Sequence, residues 1–234
     1  MLPLAILAGG LATRLRPITE TIPKALVEIA GTPFICRQLD YIRAQGIHKV
    51  VLCVGYLGEM IESVVGNGAQ FGLEVSYSYD GPKLLGTGGA LKQALPELGE
   101  LFFVQYGDSF LPINFSEVEK VFLAGNQMAL MTIIENNNRW DKSNVIFRDN
   151  ELIEYNKKTL RQEMSFIDYG LSVLSQKALV NYPVNQVFDL DEVYYLLSIK
   201  RQLGGYQVHE RFYEIGSPQG LKETEDYFRE KNKV

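Results

Sequence analysis

The feature that most constrains this chain is a short apolar run that breaks at a pair of glycines. Residues 2–7 are almost uninterruptedly apolar, which predicts a buried first strand, and Gly9-Gly10 follow directly. A glycine turn lets backbone N–H groups approach an anion, because no side chain stands in the way. Arg14 and Lys24 bring two cations to the same region, and cations beside backbone donors suit a polyphosphate. The pattern therefore predicts a strand that ends in a phosphate-binding loop.

The loop departs from the two commonest glycine motifs of nucleotide-binding proteins. It lacks the Gly-Lys-Ser/Thr ending of the P-loop and the Gly-x-Gly-x-x-Gly of dinucleotide sites. A glycine loop alone would be a weak signal, since many such loops are only turns between a strand and a helix. The hydroxyl of Thr13, the two cations, and the prolines Pro17 and Pro23 strengthen the phosphate interpretation.

Strands and helices alternate through the first half of the chain. Apolar runs predict buried strands over 49–56 and 101–106, and alternating polarity predicts another over 73–79. Helices over about 34–46 and 57–65 separate the first of these strands. This order is typical of an α/β fold with a doubly wound, mostly parallel sheet, whose ligands bind at the carboxyl ends of strands. The phosphate loop lies at such an end.

A second glycine-rich stretch, residues 84–91, opens the helix that follows the third strand. Its members Gly86, Thr87, Gly88 and Gly89 leave peptide groups open to a flat ligand lying against the backbone. The alternative is a glycine-rich start of a helix that contacts no ligand.

An acidic residue follows the strand over 101–106. Asp108, within Gly107-Asp108-Ser109, should reach the same sheet edge as the phosphate loop. Mg²⁺ prefers oxygen ligands and accompanies phosphates, so Asp108 is a candidate magnesium ligand. The alternative is a turn residue or a helix cap.

The second half of the chain is richer in strands. Residues 127–134 predict a strand, while 144–147 and 152–155 predict a hairpin that turns at Asp149-Asn150. A helix is expected over 188–203, stopped by the following glycine pair, and a surface helix over 221–228 ends the chain.

Composition narrows the choice of partners. The 234 residues, 46% hydrophobic, suit one large globular domain. The net charge of −5 argues against a nucleic-acid partner, so local cations must hold any phosphate. Cys36 and Cys53 lack metal-ligand spacing and predict two buried thiols in a reducing compartment. No run is long enough to span a bilayer, and the N-terminus lacks a charged leader segment. We therefore expect a cytoplasmic protein with no membrane partner, and homo-oligomerisation stays open.

The first motif resembles the signature of a known enzyme family. Gly9-Gly10-x-x-Thr13-Arg14-Leu15-x-Pro17-x-Thr19, followed by Pro23-Lys24, is similar to that of the sugar-phosphate nucleotidyltransferases. The likeness extends from residue 4 to about 227. The Leu-Gly-Thr-Gly-Gly form of residues 85–89 resembles guanylyltransferases that act on mannose 1-phosphate or heptose 1-phosphate.

The resemblance implies a Rossmann-like nucleotidyltransferase domain over residues 1–234. Its nucleotide-binding core would cover about 1–125 with C-terminal segments, and a small β-rich sugar-binding subregion would cover about 126–215. Such enzymes transfer a nucleoside monophosphate from a nucleoside triphosphate to a sugar 1-phosphate, forming a nucleoside diphosphate sugar and releasing pyrophosphate. Among them, a hexose or heptose 1-phosphate guanylyltransferase is the favoured interpretation.

The resemblance also implies roles for individual residues. Arg14 would act on the β- and γ-phosphates and Lys24 on the α-phosphate, while Asp108 and Glu214 would hold Mg²⁺. The implied nucleotide-binding residues are Leu7, Ala8, Gly9, Gly10, Thr13, Gly86, Thr87, Gly88 and Gly89. The implied sugar-phosphate-binding residues are Asn144, Asn156, Lys157, Asp168 and Gly170.

Several positions depart from the family pattern, among them Tyr106, which stands where relatives often have asparagine, and Asp168, which lies in place of an Asn-Ala-Gly segment. Ala12 and Asn144 stand where many relatives have glycine, Asn156 replaces a carboxylate, and Glu214 replaces an aspartate. Ala12 would be strained in a left-handed turn. These departures keep two alternatives open. One is a uridylyl-, thymidylyl- or cytidylyltransferase for another phosphorylated acceptor, such as phosphocholine, and the other is a nucleotide-binding regulatory paralogue without turnover.

Overall fold

The computed structural model describes residues 1–231. Its strands are β1 (Leu4–Leu7), β2 (Glu28–Ile29), β3 (Thr32–Pro33), β4 (Lys49–Val54), β5 (Glu74–Tyr79), β6 (Leu101–Tyr106), β7 (Ser109–Phe110), β8 (Ala129–Glu135), β9 (Val145–Arg148), β10 (Glu151–Tyr155), β11 (Phe166–Ser175), β12 (Leu203–Val208) and β13 (Tyr213–Glu214). Its α-helices are α1 (Phe34–Ala44), α2 (Gly58–Val65), α3 (Gly86–Leu98), α4 (Phe115–Ala124), α5 (Leu190–Ile199) and α6 (Pro218–Lys231).

A nine-stranded sheet runs through both halves of the chain, and its centre is parallel. β1 lies between β4 and β6, and β5 pairs with β4 on the far side, all in parallel. Leu7 lies opposite both Cys53 and Tyr106, so the carboxyl ends of β1, β4 and β6 meet at one edge. The predicted parallel α/β arrangement is confirmed, and the loops that follow these strands share that edge.

Helices cover both faces of the parallel strands. Leu4 and Ile6 of β1 pack in a hydrophobic cluster with side chains of α1, α2 and α4. Ala5 points to the opposite face, into a cluster with α3 and α5. Burial on both faces explains why the strands were recognisable as continuous apolar runs.

β11 changes the sheet from parallel to antiparallel. It pairs antiparallel with β6 and with β8, and its register with β8 shifts between Asp168 and Ser172. Gly170, with φ of 106°, lies inside this irregularity. β9 and β10 form the predicted hairpin, in which Asp149 and Asn150 have φ of 52° and 62°, as a two-residue primed turn requires.

The prediction of a helix over 188–203 was wrong at its end. α5 stops at Ile199, and after a turn over 200–202 the chain enters β12, which pairs in parallel with β8. Gly204 and Gly205 lie inside that strand because neighbouring side chains fill the space. A Cβ atom on Gly205 would come within 3.0 Å of the Phe147 ring, and one on Gly204 within 2.9 Å of Leu130.

The helix α4 and the long strand β11 had no sequence prediction, and neither did the two-residue strands β2, β3, β7 and β13. The other predicted strands and helices are confirmed with small shifts of their ends. Within residues 1–231, no helix has the length and hydrophobicity needed to cross a membrane.

Candidate active site

The loop after β1 forms the floor of a cleft of about 310 Å³ at the carboxyl edge of the sheet. Gly9 is packed so closely that a Cβ atom would lie 3.1 Å from the backbone nitrogen of Gly55. Gly10 has no neighbour within 4 Å of that position, so its backbone faces open space. The predicted nucleotide residues that line this cleft are Leu7, Ala8, Gly9, Gly10, Gly86 and Thr87.

The glycine-rich start of α3 is divided between the cleft and the protein interior. Gly88 and Gly89 are buried, and their N–H groups donate to the carbonyl oxygen of Phe188 at 3.0 and 3.2 Å. A Cβ atom on Gly88 would lie 2.3 Å from the Phe188 ring. Thr87 is held in turn by Asp189, whose Oδ1 accepts from the Thr87 N–H at 3.2 Å. The structure therefore assigns Gly88 and Gly89 to packing and leaves Gly86 and Thr87 at the cleft.

A carboxylate that the sequence analysis missed, Asp80, also lines this cleft. It is only 9% exposed, and its Oδ2 accepts a hydrogen bond from the Leu85 N–H at 3.1 Å. Burial raises the pKa of the Asp80 carboxyl group, and the Leu85 hydrogen bond opposes that shift. The signal was present in the sequence, because Asp80 directly follows β5 just as Asp108 follows β6.

The loop between Gly10 and Lys24 contains a strained residue. Ala12 has φ of 48° and ψ of 42°, the left-handed conformation in which an alanine side chain is unfavourable. Its carbonyl oxygen accepts a hydrogen bond from Thr19 Oγ1 at 2.8 Å, which helps to hold the loop. Thr13 begins a short 3₁₀ turn, Thr13–Leu15, and lies outside the residues that line the cleft.

Four charged side chains predicted to act together converge around Asp108. Lys24 Nζ lies 2.8 Å from Asp108 Oδ2, and both side chains are largely shielded from solvent. The side chains of Arg14 and Glu214 approach Asp108 beside Gly216. A Cβ atom built there would lie 2.8 Å from Glu214 Oε2, 3.2 Å from Arg14 Nη2 and 3.2 Å from Asp108 Oδ2. Residues distant in sequence thus surround a single point.

Glu214 is held by the turn that precedes α6. One carboxylate oxygen accepts from the Gly216 N–H, and the other accepts from Ser217 Oγ at 2.5 Å. β13 pairs with β7, which sets Glu214 opposite Ser109 and brings it beside Asp108. Free N–H groups at the start of a helix favour such a carboxylate.

The donor set at this point is compatible with Mg²⁺. Within residues 1–231, no three His, Cys, Asp or Glu side chains group together as a metal site. Asp108 and Glu214 nevertheless bring two carboxylates to one place. Mg²⁺ beside phosphates is commonly held by one or two carboxylates, with water and substrate oxygens completing the shell.

A second cleft, of about 470 Å³, adjoins the first, and both are lined by Tyr106 and Asp108. Arg14 and Glu214 line only the second cleft. The predicted sugar-phosphate residues found in its wall are Asn144, Lys157, Asp168 and Gly170. Asp108 is therefore accessible from both spaces.

Asp168 lies at the back of the second cleft. Its Oδ1 accepts from the Gly170 N–H at 2.9 Å, and its Oδ2 accepts from the Tyr106 hydroxyl at 3.4 Å. Burial raises the pKa of Asp168, whereas the positive charge of Lys157 lowers it. Lys157 Nζ lies 5.5 Å from the centre of the Tyr106 ring, a cation–π contact that keeps the lysine inside the cleft.

The two asparagines that depart from the family pattern have structural contacts. Asn144 is buried, and its Oδ1 accepts from the Asp168 N–H at 3.1 Å. Asn156 lies outside the second cleft, and its Oδ1 accepts from the N–H groups of Lys158 and Thr159 at 3.0 and 2.8 Å. Asn156 therefore shapes the turn that carries Lys157.

The second cleft also contains residues that the sequence analysis missed. They are Arg139, Trp140, Arg211, Phe212 and Glu223, which come from the loop after β8, the segment after β12 and α6. No local motif marks them, since they become neighbours only in the folded chain.

Two adjoining clefts that share one carboxylate suit a transferase that brings together a nucleotide and a second phosphorylated substrate. The fold and the site together define an α/β nucleotide-binding transferase. The chain belongs to the family described as "Nucleotidyl transferase", whose family model matches residues 4–162.

Relatives match the chain over nearly its whole length. D-glycero-alpha-D-manno-heptose 1-phosphate guanylyltransferase of Campylobacter jejuni is 27% identical and covers 95% of this chain and 96% of its own. The enzyme of the same name from Aneurinibacillus thermoaerophilus is 28% identical, with 94% and 95% covered. HddC of Yersinia pseudotuberculosis, solved with GMP-PN, superposes with a TM-score of 0.80 at 26% identity, covering 97% of this chain and 100% of its own. The resemblance to sugar-phosphate nucleotidyltransferases is confirmed, and the chain is a nucleotidyltransferase.

Proposed function

We propose that this enzyme transfers a guanylyl group from GTP to a hexose or heptose 1-phosphate, releasing pyrophosphate. The observation that carries the proposal is Asp108, which lines both clefts next to Lys24 and close to Arg14. A nucleotide in the first cleft and a sugar phosphate in the second would meet at this residue.

The reaction is an in-line displacement at the α-phosphorus. An oxygen of the acceptor's 1-phosphate forms a bond to that phosphorus, and the bond to the bridging oxygen breaks as pyrophosphate leaves. The nucleophile is already an anion and needs no general base. The barrier is the approach of two anions, so positioning and charge neutralisation should supply the catalysis.

The cations of the site have separate tasks in this mechanism. Lys24 would neutralise the α-phosphate, and Arg14 would bind the β- and γ-phosphates and the departing pyrophosphate. Lys157, beside Tyr106, would hold the acceptor's phosphate. Asp168 would accept hydrogen bonds from sugar hydroxyls, since a carboxylate can accept from two at once.

Mg²⁺ would be held by Asp108 and Glu214, whose oxygens suit it. When bound, the ion would add positive charge where the two phosphates approach. The Lys24–Asp108 ion pair keeps the Asp108 carboxylate at this position.

Asp80 supports guanine as the base. Guanine carries adjacent N1–H and N2–H donors, and a carboxylate accepts from both. Uracil and thymine carry one N–H between two carbonyl oxygens, which a carboxylate would repel. Relatives named as guanylyltransferases, and the HddC complex with GMP-PN, agree with this choice. The same relatives' names support a heptose 1-phosphate acceptor.

We also propose a cytoplasmic location, since nucleoside triphosphates are made there and both cysteines are free thiols.

A substrate panel tests the proposed function. The four ribonucleoside triphosphates and dTTP would be combined with hexose and heptose 1-phosphates, with pyrophosphate release and product mass as readouts. We expect product with GTP, dependence on Mg²⁺, and a loss of at least about 100-fold in kcat for Asp108→Asn. Nucleotide binding without pyrophosphate release would instead identify a regulatory paralogue. Turnover only with another nucleotide or acceptor would identify the other alternative.

A further inference from the structure

Four cationic side chains line the second cleft, together with five carboxylates. Lys157 and Arg14 lie in the part lined by Asp108 and Asp168. Arg139 and Arg211 form a second pair of cations in the same cleft. The proposed function assigns no task to this second pair.

The two guanidinium groups lie close to one indole ring. The guanidinium carbon of Arg139 is 5.0 Å from the centre of the Trp140 ring, and that of Arg211 is 5.8 Å from the same point. Arg211 also lies 4.7 Å from the Tyr213 ring. Two like charges gathered at one aromatic side chain repel each other unless an anion balances them.

Among residues 1–231, Glu223 is the one carboxylate that makes an ion pair with either arginine. Glu223 pairs with Arg211, with Oε2 lying 2.6 Å from Nη2, and its other oxygen accepts from Gln219 Nε2 at 2.9 Å. Arg139 has no carboxylate within ion-pair distance among residues 1–231. Asp141 also lines the cleft, and its Oδ1 accepts from the Lys142 N–H at 2.7 Å.

Arg211 is oriented before any ligand arrives. Its Nε donates to the Phe212 carbonyl oxygen at 3.2 Å, while Nη2 is held by Glu223. These contacts leave Nη1 free to donate. The Arg139 guanidinium lies over the indole and makes no ion pair among residues 1–231. A planar anion such as a carboxylate suits two guanidinium donors.

We infer that Arg139 and Arg211 form a second anion subsite, which binds an acidic substituent carried by the acceptor sugar in addition to its 1-phosphate. The inference rests on the proposed function, because it places the sugar 1-phosphate in this cleft. The substituent is a carboxylate or a second phosphate, and either would distinguish the acceptor from a neutral hexose.

A matched set of acceptors tests the subsite. Mannose 1-phosphate, mannuronic acid 1-phosphate and mannose 1,6-bisphosphate share one ring and differ in the charge at carbon 6. For each, kcat/KM would be measured with saturating GTP and Mg²⁺, and the dissociation constant would be measured by calorimetry. We expect the carboxylated or the bisphosphorylated acceptor to exceed mannose 1-phosphate by about tenfold or more, the range for hydrogen bonds to charged groups. The charged acceptor with the higher kcat/KM shows whether the subsite binds a carboxylate or a phosphate.

Substitutions of the two arginines then test whether they cause the higher kcat/KM with the charged acceptor. Arg139→Gln should lower the ratio of kcat/KM for the charged acceptor to kcat/KM for the neutral acceptor by about tenfold. Arg211→Lys, which keeps a charge beside Glu223 but loses the guanidinium fork, should lower the same ratio. Arg148→Gln removes an exposed arginine outside the cleft and serves as the matched control.

The subsite would be overturned if the kcat/KM of the charged acceptor were no higher than that of mannose 1-phosphate. It would also be overturned if neither arginine variant changed the ratio of these two values. Either result would leave the proposed function intact. Failure of every sugar 1-phosphate to bind or react would overturn both proposals.

Discussion

Replacing Asp80 by asparagine should change which base the enzyme accepts. The substitution keeps the size of the side chain but exchanges one carboxylate oxygen for an NH₂ group. In the structure, Oδ2 accepts from the Leu85 N–H at 3.1 Å, and no hydrogen bond within residues 1–231 uses Oδ1. Because Asp80 is 9% exposed, the oxygen of the new amide should remain on Leu85, since an unpaired N–H there would be costly. The NH₂ group would then face the cleft.

The size of the effect on kcat/KM follows from the change in hydrogen bonds between residue 80 and the base. One guanine N–H would lose its acceptor and meet the NH₂ donor, while the other would keep only an uncharged amide oxygen. Losing one charge-assisted bond and leaving that N–H unpaired, each worth about 1.5 kcal/mol, correspond to a loss of about 100-fold or more in kcat/KM with GTP. A base with a carbonyl oxygen at this place, such as uracil, would gain an acceptor for the NH₂ group. The ratio of GTP to UTP efficiency should therefore fall by more than 100-fold.

The assay is pyrophosphate release with GTP and UTP at a fixed acceptor concentration. Asp149→Asn provides the control, because Asp149 is an exposed acid in the hairpin turn, where asparagine is equally acceptable. An equal fall with both nucleotides, or no fall with either, would refute the assignment of Asp80 to the base.

Three further predictions concern the loops and the buried acid. Ala12→Gly should raise the free energy of unfolding by about 1 kcal/mol in a urea titration, because Ala12 has φ of 48°; a decrease would contradict the strain argument. Gly88→Ala should lower that free energy by about 1–3 kcal/mol, because its Cβ atom would lie 2.3 Å from the Phe188 ring, whereas Gly10→Ala, with nothing within 4 Å, should change it little. Burial raises the pKa of Asp168, so its cost to the folded state is absent below the carboxyl group's ordinary pKa and appears as the pH rises through the raised value. Wild type should therefore gain stability relative to Asp168→Asn as the pH falls from neutral towards the carboxyl group's ordinary pKa, and a difference independent of pH would exclude this effect.

The parallel core was predictable because its causes are local. Strands buried on both faces are written as short apolar runs, and β1, β4 and β6 all have that form. The end of α5 was not predictable from the same rules. A glycine pair normally stops a helix, but Gly204 and Gly205 are required by contacts with Leu130 and Phe147, which come from distant strands.

The sequence by itself indicated the glycine loop and Asp108, because each follows an apolar strand and parallel strands end at one edge, and it indicated Arg14 and Lys24 as cations near that loop. The family resemblance added Glu214 to this group, and only the tertiary structure decided how closely Glu214 approaches Asp108 and that Asp108 borders two clefts. It also decided that Arg139 and Arg211 share one aromatic side chain, and that Gly88 and Gly89 serve packing. The physical reason is that a charge or a glycine acquires its role from the atoms around it. Those atoms come from segments whose distance in sequence says nothing about their distance in space.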